Sequence, residues 1–360
     1  MDINVYLKEV VTSNSPDLHL KVGKVPLVRL PNGDLYEMEN AEVVTAQMMD
    51  ELVKQIVGDK KYIEFKAMTE IDTSYEVMGV GRFRVNAFMD TEGPALAFRS
   101  IPSQIPTLDG LGLPQILKDF TKKSKGLLVV TGPTGSGKST TLSAMVNEIN
   151  MSKRVHIITI EDPIEFVHAS KLALVTQREV GTHTISFPSA IRSALREDPD
   201  VILVGEMRDI ETISAAITLA ETGHLVLATL HTQDAPQTVD RMIDIFPAHQ
   251  QSQIRAQLST TLLGVVAQRL IPTADGAGRV LALEILVRND AITNCIKEGN
   301  THQIYSMMQI GRADGMLTLD ASLADLFKRG LISESDMLLR ARDPELVANL
   351  IREGTPKIFL

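Results

Sequence analysis

Gly132-Pro133-Thr134-Gly135-Ser136-Gly137-Lys138-Ser139 fits the pattern G-x-x-x-x-G-K-[ST] at each fixed position. Its surroundings matter as much as the motif. Gly126-Leu-Leu-Val-Val-Thr131 before it is a short apolar run of strand length. After it, Leu142, Met145, Val146 and Ile149 recur at the i, i+3, i+4, i+7 spacing of one helix face. Strand, glycine-rich turn and helix N-terminus together make a phosphate cradle. The glycines let backbone N–H groups curl around phosphate oxygens. Lys138 supplies charge to the β- and γ-phosphates, and the helix dipole favours the anion. Ser139 is the expected Mg2+ ligand, and Thr140 completes the binding stretch. A chance glycine-rich turn is the competing reading, and the strand and helix on either side argue against it.

Outward from this loop the chain alternates short apolar runs with helical stretches. Val155-His-Ile-Ile-Thr-Ile160, Val201-Ile-Leu-Val204 and Leu225-Val-Leu-Ala-Thr-Leu230 suit parallel strands covered on both faces. Met242 to Leu270 reads as mostly helical, Val280 to Val287 as a further strand, and 290–360 as several short helices. Upstream, Met1 to Thr12 suits a helix and Asp17-Leu-His-Leu-Lys-Val22 a half-buried strand. Pro31-Asn-Gly-Asp34 is a turn signal, Ala41 to Val57 is helical in pattern, and Tyr75 to Met89 reads as strands. Proline and glycine crowd the stretch Ile101 to Pro114, which marks a linker. The expected organisation is an N-terminal α/β domain over 1–100, a linker over 101–111, an α/β core over 112–289 and a C-terminal helical region over 290–360.

Composition narrows the function classes. A chain of 360 residues suggests two or three domains at roughly 100–200 residues each. Hydrophobic residues at 44% and charged residues at 22% describe a globular protein and exclude a disordered chain. A net charge of −9 does not suit a coat for nucleic acid. With no tryptophan and only 4% aromatics, stacking platforms for single strands are scarce, which weakens a nucleic-acid translocase. The single cysteine, Cys295, excludes an internal disulfide framework and a multi-thiolate zinc site, and fits a reducing cytoplasm. No apolar run reaches the ~18 residues of a membrane span, and the N-terminus lacks a signal-peptide pattern. Membrane work is therefore expected to go through a partner.

A second chemical element stands after the strand Val201–Val204. Glu206 follows Gly205 there, and an acid at the carboxyl end of such a strand lies in the crevice where ligands bind in open α/β sheets. Glu206 is placed to hold Mg2+ through water and to polarise the attacking water; a surface acid after a core strand is the alternative.

Four further stretches carry a resemblance. Ile160-Glu-Asp-Pro-Ile-Glu-Phe166 resembles the Asp box of the secretion-type ATPases, and Thr222-Gly-His-Leu-Val-Leu-Ala-Thr-Leu-His-Thr232 resembles their His box. Arg196-Glu-Asp-Pro-Asp-Val-Ile-Leu-Val-Gly-Glu-Met-Arg-Asp209 is similar to their Walker B segment, and Gly81-Arg-Phe-Arg-Val-Asn-Ala-Phe88 to the arginine-bearing strand of their N-terminal domain. Together these resemble the type IV pilus retraction ATPases, from Asp17 to about residue 335. The resemblance implies a PAS-like α/β domain followed by a RecA-like P-loop core, assembled as a homo-hexamer. It implies ATP bound between the two domains and a neighbouring subunit. It further implies a cytoplasmic ring docked on an inner-membrane pilus platform protein, withdrawing pilin in twitching motility. Neither nucleic acid nor direct membrane insertion is expected.

The same resemblance assigns candidate roles. Glu161 and Glu165 follow the strand ending at Ile160, where an acid is near the Walker B end and can position or deprotonate water. The rival reading is an acidic helix N-cap at Asp162 followed by Pro163. His231 is the candidate γ-phosphate or interface sensor. It and His224 are expected to flank a strand near the same edge, although a lone histidine is more often a satisfied structural residue. Arg82 and Arg84, with Arg99 beside them, are candidate arginine fingers, against the reading of a solvated strand face.

One stretch departs from the family. Ala291-Ile-Thr-Asn-Cys-Ile-Lys-Glu-Gly299 stands where retraction ATPases carry AIRNLIREG: Thr293 and Lys297 replace arginines and Cys295 replaces leucine. Ile292, Cys295 and Ile296 keep a helical apolar face. The departure opens a place for an auxiliary retraction paralogue, or for a weakly active regulatory subunit co-assembling with another pilus ATPase. Zinc-binding cysteines of the extension branch are missing.

Overall fold

A sheet of parallel strands has to be covered on both faces, and the alternation of side chains between two cores shows how the chain does this. The structure, a computed structural model, describes residues 2–13, 15–30, 34–101 and 104–353. The chain divides into two compact units, Met1–Gln104 with Pro163–Val167, and Ile105–Asp162 with His168–Leu360. The expected turn at Pro31-Asn-Gly, and Pro102 and Ser103 of the expected linker, lie outside the described residues.

In the first unit, α1 (Ile3–Thr12) precedes β1 (Asp17–Lys21), β2 (Leu27–Arg29) and β3 (Leu35–Glu37). Then come α2 (Ala46–Met68), β4 (Glu70–Val77), β5 (Gly81–Asp90) and β6 (Gly93–Ile101). The six strands form one antiparallel sheet in the order β3-β2-β1-β6-β5-β4. Ile3, Leu7 and Val10 of α1 and Met49, Leu52 and Phe65 of α2 pack with Leu18, Phe83, Val85 and Phe98. The alternation read at Arg82 to Val85 is real: Phe83 and Val85 are buried while Arg84 is exposed.

The second unit runs α3 (Gln115–Thr121), β7 (Gly126–Thr131), α4 (Lys138–Ser152), β8 (His156–Glu161), β9 (Leu174–Glu179), α5 (Phe187–Ala194) and β10 (Val201–Val204). It continues with α6 (Ile210–Glu221), β11 (Leu225–Thr229), α7 (Ala235–Asp244), α8 (Ala248–Thr261), β12 (Leu262–Pro272) and β13 (Arg279–Val287). It ends with α9 (Asp290–Glu298), α10 (Ile304–Ile310), α11 (Leu319–Lys328), α12 (Glu334–Arg340) and α13 (Pro344–Glu353). Seven strands pair in the order β13-β12-β7-β11-β10-β8-β9, parallel except for β12 with β13. Leu127, Val129, Ile158, Ile160, Ile202 and Val204 face one core, and Leu128, Val130, Ile157, Val201 and Leu203 the other. That double burial is why these strands read as unbroken apolar runs.

One expectation fails. Residues 262–270 were expected to continue a helix and instead form most of β12, beside β7. Leu262-Leu-Gly-Val-Val-Ala267 is buried throughout, and periodicity cannot separate a fully buried strand from a buried helix.

A buried carboxyl ties the carboxyl-side helices to this sheet. Glu284 on β13 accepts the backbone N–H of Ala235 at 2.8 Å and that of Leu319. Those are the first residues of α7 and α11, whose opening N–H groups lack partners within their own helices. Burial pushes the Glu284 carboxyl up to about 7, against the pull of these amides and of Arg342. A raised pKa means that this group's contribution to stability is full below the ordinary glutamate value of about 4.5 and is lost as pH rises through 7; the range spans about 3 kcal/mol. Glu284→Gln should therefore flatten the fall in melting temperature between pH 5 and pH 8. An equally steep fall in the variant would remove Glu284 as its source.

Candidate active site

All parallel strands of the second unit point their carboxyl ends to one edge, and Lys138, Glu161, Glu206 and His231 follow or end the strands there. The loop after β7 turns through Gly132, whose φ is +138° and where an added Cβ would lie 2.3 Å from the Gln268 carbonyl oxygen. Only glycine fits. Gly137, in left-handed backbone, is the N-cap of α4 and makes no side-chain cap, so the helix N-terminus is left for an anion. Lys138 is buried, and its ammonium donates to the carbonyls of Gly132 at 2.9 Å and Pro133 at 3.1 Å. The buried Ser136 hydroxyl makes no hydrogen bond to protein. A cradle with a lysine on its floor, an uncapped helix start and an orphaned hydroxyl suits a polyphosphate.

Glu206 reaches this edge because Gly205 slips past β8: its N–H donates to Ile160 O at 2.8 Å, and a Cβ there would sit 3.0 Å from that oxygen. The Glu206 carboxylate takes Arg208 Nε at 2.5 Å and His231 Nε2 at 3.2 Å. Burial pushes its carboxyl up, but hydrogen bonding and charge from Arg208, then His231, outweigh burial and hold it below the ordinary value. His231 faces Lys138 with its other nitrogen, Nδ1 lying 3.5 Å from Nζ. One imidazole thus spans the phosphate-loop lysine and the β10 acid, a link the sequence did not foretell. Thr131, at the end of β7, accompanies it by bonding Thr232 through its hydroxyl at 2.7 Å.

Glu161 closes β8 and accepts Thr159 Oγ1 at 2.6 Å and Gln177 Nε2 at 3.2 Å. Gln177 Oε1 in turn accepts the backbone N–H of His168 at 2.7 Å. Gln177 on β9 is thus a further residue fixing this acid, one with no motif to announce it. No helix starts at Asp162, since residues 162–173 are irregular, so the N-cap reading of that acid is set aside. His224 is a second correction. It precedes β11 and its N-terminal neighbour across the sheet is Gly126, whereas His231 follows the strand's other end. The two histidines stand at opposite edges. His224 is satisfied locally by Leu219 O at 3.0 Å.

Glu165 falls in the first unit, as do the three arginines. There Arg84 and Arg99 stand opposite each other on β5 and β6. Arg82 donates to Ser74 Oγ at 2.8 Å, Arg84 lies 3.8 Å from Asp72, and Arg99 donates to Asp17 at 2.8 Å.

Comparison with known proteins follows the same line. A family model described as Type II/IV secretion system protein matches residues 3–324. The chain is 48% identical over 345 residues to the type IV pilus retraction ATPase PilT of Pseudomonas aeruginosa, covering 96% of this chain and 99% of that protein. It is 37% identical over 355 residues to the type IV pilus ATPase PilU of the same organism, covering 99% and 92%. It is similar, with a TM-score of 0.90 and 44% identity, to a crystal structure of the pilus retraction motor PilT with bound ADP, covering 97% of this chain and 99% of that one.

The Arg208–Glu206 pair generates a pH test. With Arg208 removed, burial acts on Glu206 with less opposition, so its pKa rises. Arg208→Ala should move the acid limb of the kcat/KM profile to higher pH; an unmoved limb would separate Glu206 from the titration that governs turnover.

Proposed function

The chain belongs to the Type II/IV secretion system protein family, and from that membership we propose that it is a motor ATPase that retracts type IV pili. In this reading it works as a homo-hexamer on an inner-membrane platform protein at the cytoplasmic side. Among the described residues no helix is long and apolar enough to cross a membrane, so force would pass through that partner. The observation that carries the ATPase reading is the chain of contacts from Lys138 through His231 to Glu206.

The residues would divide the work as follows. Backbone amides from Gly132 to Thr140 bind the phosphates of ATP, and Lys138 leaves its two carbonyls to neutralise charge on the β- and γ-phosphates. Ser139 and Glu206 are the residues that would hold Mg2+, which supplies charge neutralisation to the phosphates. Among the described residues no trio of His, Cys, Asp or Glu is spaced for a metal, so phosphates and water would complete its shell. Glu161, fixed by Thr159 and Gln177, orients the attacking water and accepts its proton, with Glu165 the second candidate from the same box. His231 couples the state of the terminal phosphate to Glu206. Arg82 and Arg84 act as arginine fingers in the assembled ring, stabilising charge on the transferred phosphoryl group.

A second reading, an auxiliary motor paired with a paralogous retraction ATPase, has one observation behind it. On α9 the apolar face Ile292, Cys295 and Ile296 is buried while Lys297 is exposed, so the departures leave the helix intact and alter what it can offer a partner. Restoring the family motif with Thr293→Arg, Cys295→Leu and Lys297→Arg should keep ATP turnover within about twofold, a change of ~0.4 kcal/mol. Retraction in cells should strengthen if the protein is auxiliary; no gain would return it to the main-motor reading.

Lys138→Ala tests the core of the proposal. Removing the loop cation should abolish ATP hydrolysis by the purified protein while its melting temperature stays near the parent's. Undiminished turnover would dismiss this loop as the catalytic site.

A further inference from the structure

Three polar side chains are buried on one face of α4. Ser143, Asn147 and Asn150 stand at the i, i+4, i+7 spacing, and each is 5% exposed or less. Buried polar groups need partners, and all three find them in the same stretch, residues 168–173. Ser143 Oγ lies 3.2 Å from His168 Nε2. Asn147 Oδ1 accepts the Lys171 ammonium at 3.0 Å. Asn150 uses both ends of its amide: Nδ2 donates to Ala169 O at 2.9 Å, and Oδ1 accepts the Lys171 N–H at 2.9 Å. Its backbone carbonyl accepts the N–H groups of Leu172 at 3.0 Å and Ala173 at 3.2 Å. Residues 168–173 form no helix or strand of their own, so this stretch takes its shape from α4.

The same stretch reaches Glu161 at one remove. The His168 N–H donates to Gln177 Oε1 at 2.7 Å, and Gln177 Nε2 donates to Glu161 Oε1 at 3.2 Å. Gln177 stands directly across from Thr159 in the sheet, and Thr159 Oγ1 donates to that same carboxylate oxygen at 2.6 Å. Two donors on adjacent strands therefore set the rotation of the carboxylate. Thr159 is fixed by β8 itself, whereas Gln177 is a flexible amide held at its far end by His168. Among the described residues Ser143 is the single polar contact of the His168 imidazole, because Nδ1 has none. Burial, and then Lys171, hold His168 down at about 4. The ring is therefore neutral near pH 7, and its link to Ser143 does not switch there.

We propose that Gln177 and His168 are positioning residues that tie Glu161 to α4, so that the helix opening on the phosphate loop also aims the acid. The inference rests on the reading of Glu161 as the group that orients the attacking water. α4 begins at Lys138, and Ser143 lies only about 7–8 Å further along its axis at 1.5 Å per residue. The path from the loop to the acid runs through α4 to Ser143, then His168, Gln177 and Glu161. A nucleotide that shifts the loop shifts α4, the polar ladder carries residues 168–173 with it, and the carboxylate turns in step. The demand for such a tie is steep, since a misplacement of about 1 Å costs on the order of 10²-fold in rate. An acid on an independent segment would have to find its place at each turnover.

ATP hydrolysis by the full-length protein, with ADP affinity titrated alongside, tests this. Gln177→Met keeps the length of the side chain and removes both hydrogen bonds. It should lower kcat by about tenfold while ADP binds within about twofold of the parent, because Glu161 acts on the water and not on the bound nucleotide. The retained affinity also shows that the variant is folded. Ser143→Ala, at the other end of the path, should lower kcat by about threefold, the order of one neutral hydrogen bond, again with ADP affinity kept. A double-mutant cycle supplies the readout that a merely structural role would not move. In a Glu161→Gln background, followed by single-turnover hydrolysis of labelled ATP, Gln177→Met should change the rate by less than about twofold, since nothing is left to position. A repeat of the tenfold loss in that background would overturn the proposal, as would an unchanged kcat in Gln177→Met or a loss of ADP affinity that matches the loss of kcat. An unchanged kcat in Ser143→Ala would overturn the tie to α4. Glu161→Gln alone keeps the two failures apart: undiminished turnover in it removes the reading of Glu161 itself.

Discussion

Two parallel strands that follow one another in the chain need a return crossing between them, and here that crossing is a helix over one face of the sheet everywhere except between β8 and β9. The parallel part of the second unit follows from that constraint. The crossover helices cover both faces, so the strands are apolar on both faces. All carboxyl ends fall on one edge, so whatever the chain emits after β7, β8, β10 and β11 is delivered to one place. A lysine, two acids and a histidine from four loops, spread over nearly a hundred residues, come together without any of them having to be close in sequence.

Within that edge the controlling problem is charge. Lys138 is buried, and a buried ammonium must be hydrogen-bonded. It takes two carbonyls of its own loop, which curls the loop, and the third direction faces His231. Glu206 is partly buried for the same reason that Lys138 is, and it is kept ionised by Arg208 and His231. The imidazole between them therefore bridges a fixed cation and a fixed anion. Any ligand that takes the Lys138 ammonium away from its carbonyls changes what His231 faces.

How much of this was legible in the sequence depends on distance along the chain. The phosphate loop, β7, β8, β10 and β11 were readable because their signals are local and contiguous. β12 was not, because a strand buried on both faces and a buried helix present the same unbroken run of apolar residues. The histidines of one box were placed at one edge because five residues of strand between His224 and His231 were not counted as a traverse of the whole sheet. Gln177 escaped because it reaches Glu161 through a tertiary contact that no local pattern shows. Arg82 and Arg84 were candidates by type and strand position alone, and Arg84 stands directly across from Arg99, a pairing that register alone decides.

Glu284 has a mechanical meaning beyond its protonation. Its carboxylate receives the opening amides of both α7 and α11, and α7 begins four residues after His231. Two helices that start on the same oxygen-bearing group, itself planted in a strand of the central sheet, cannot slide independently along their axes. A displacement begun at the His231 segment would reach α11 through this shared group, and the last helices through Asp320. Little of the stroke would be dissipated in bending between the nucleotide edge and the far end of the unit.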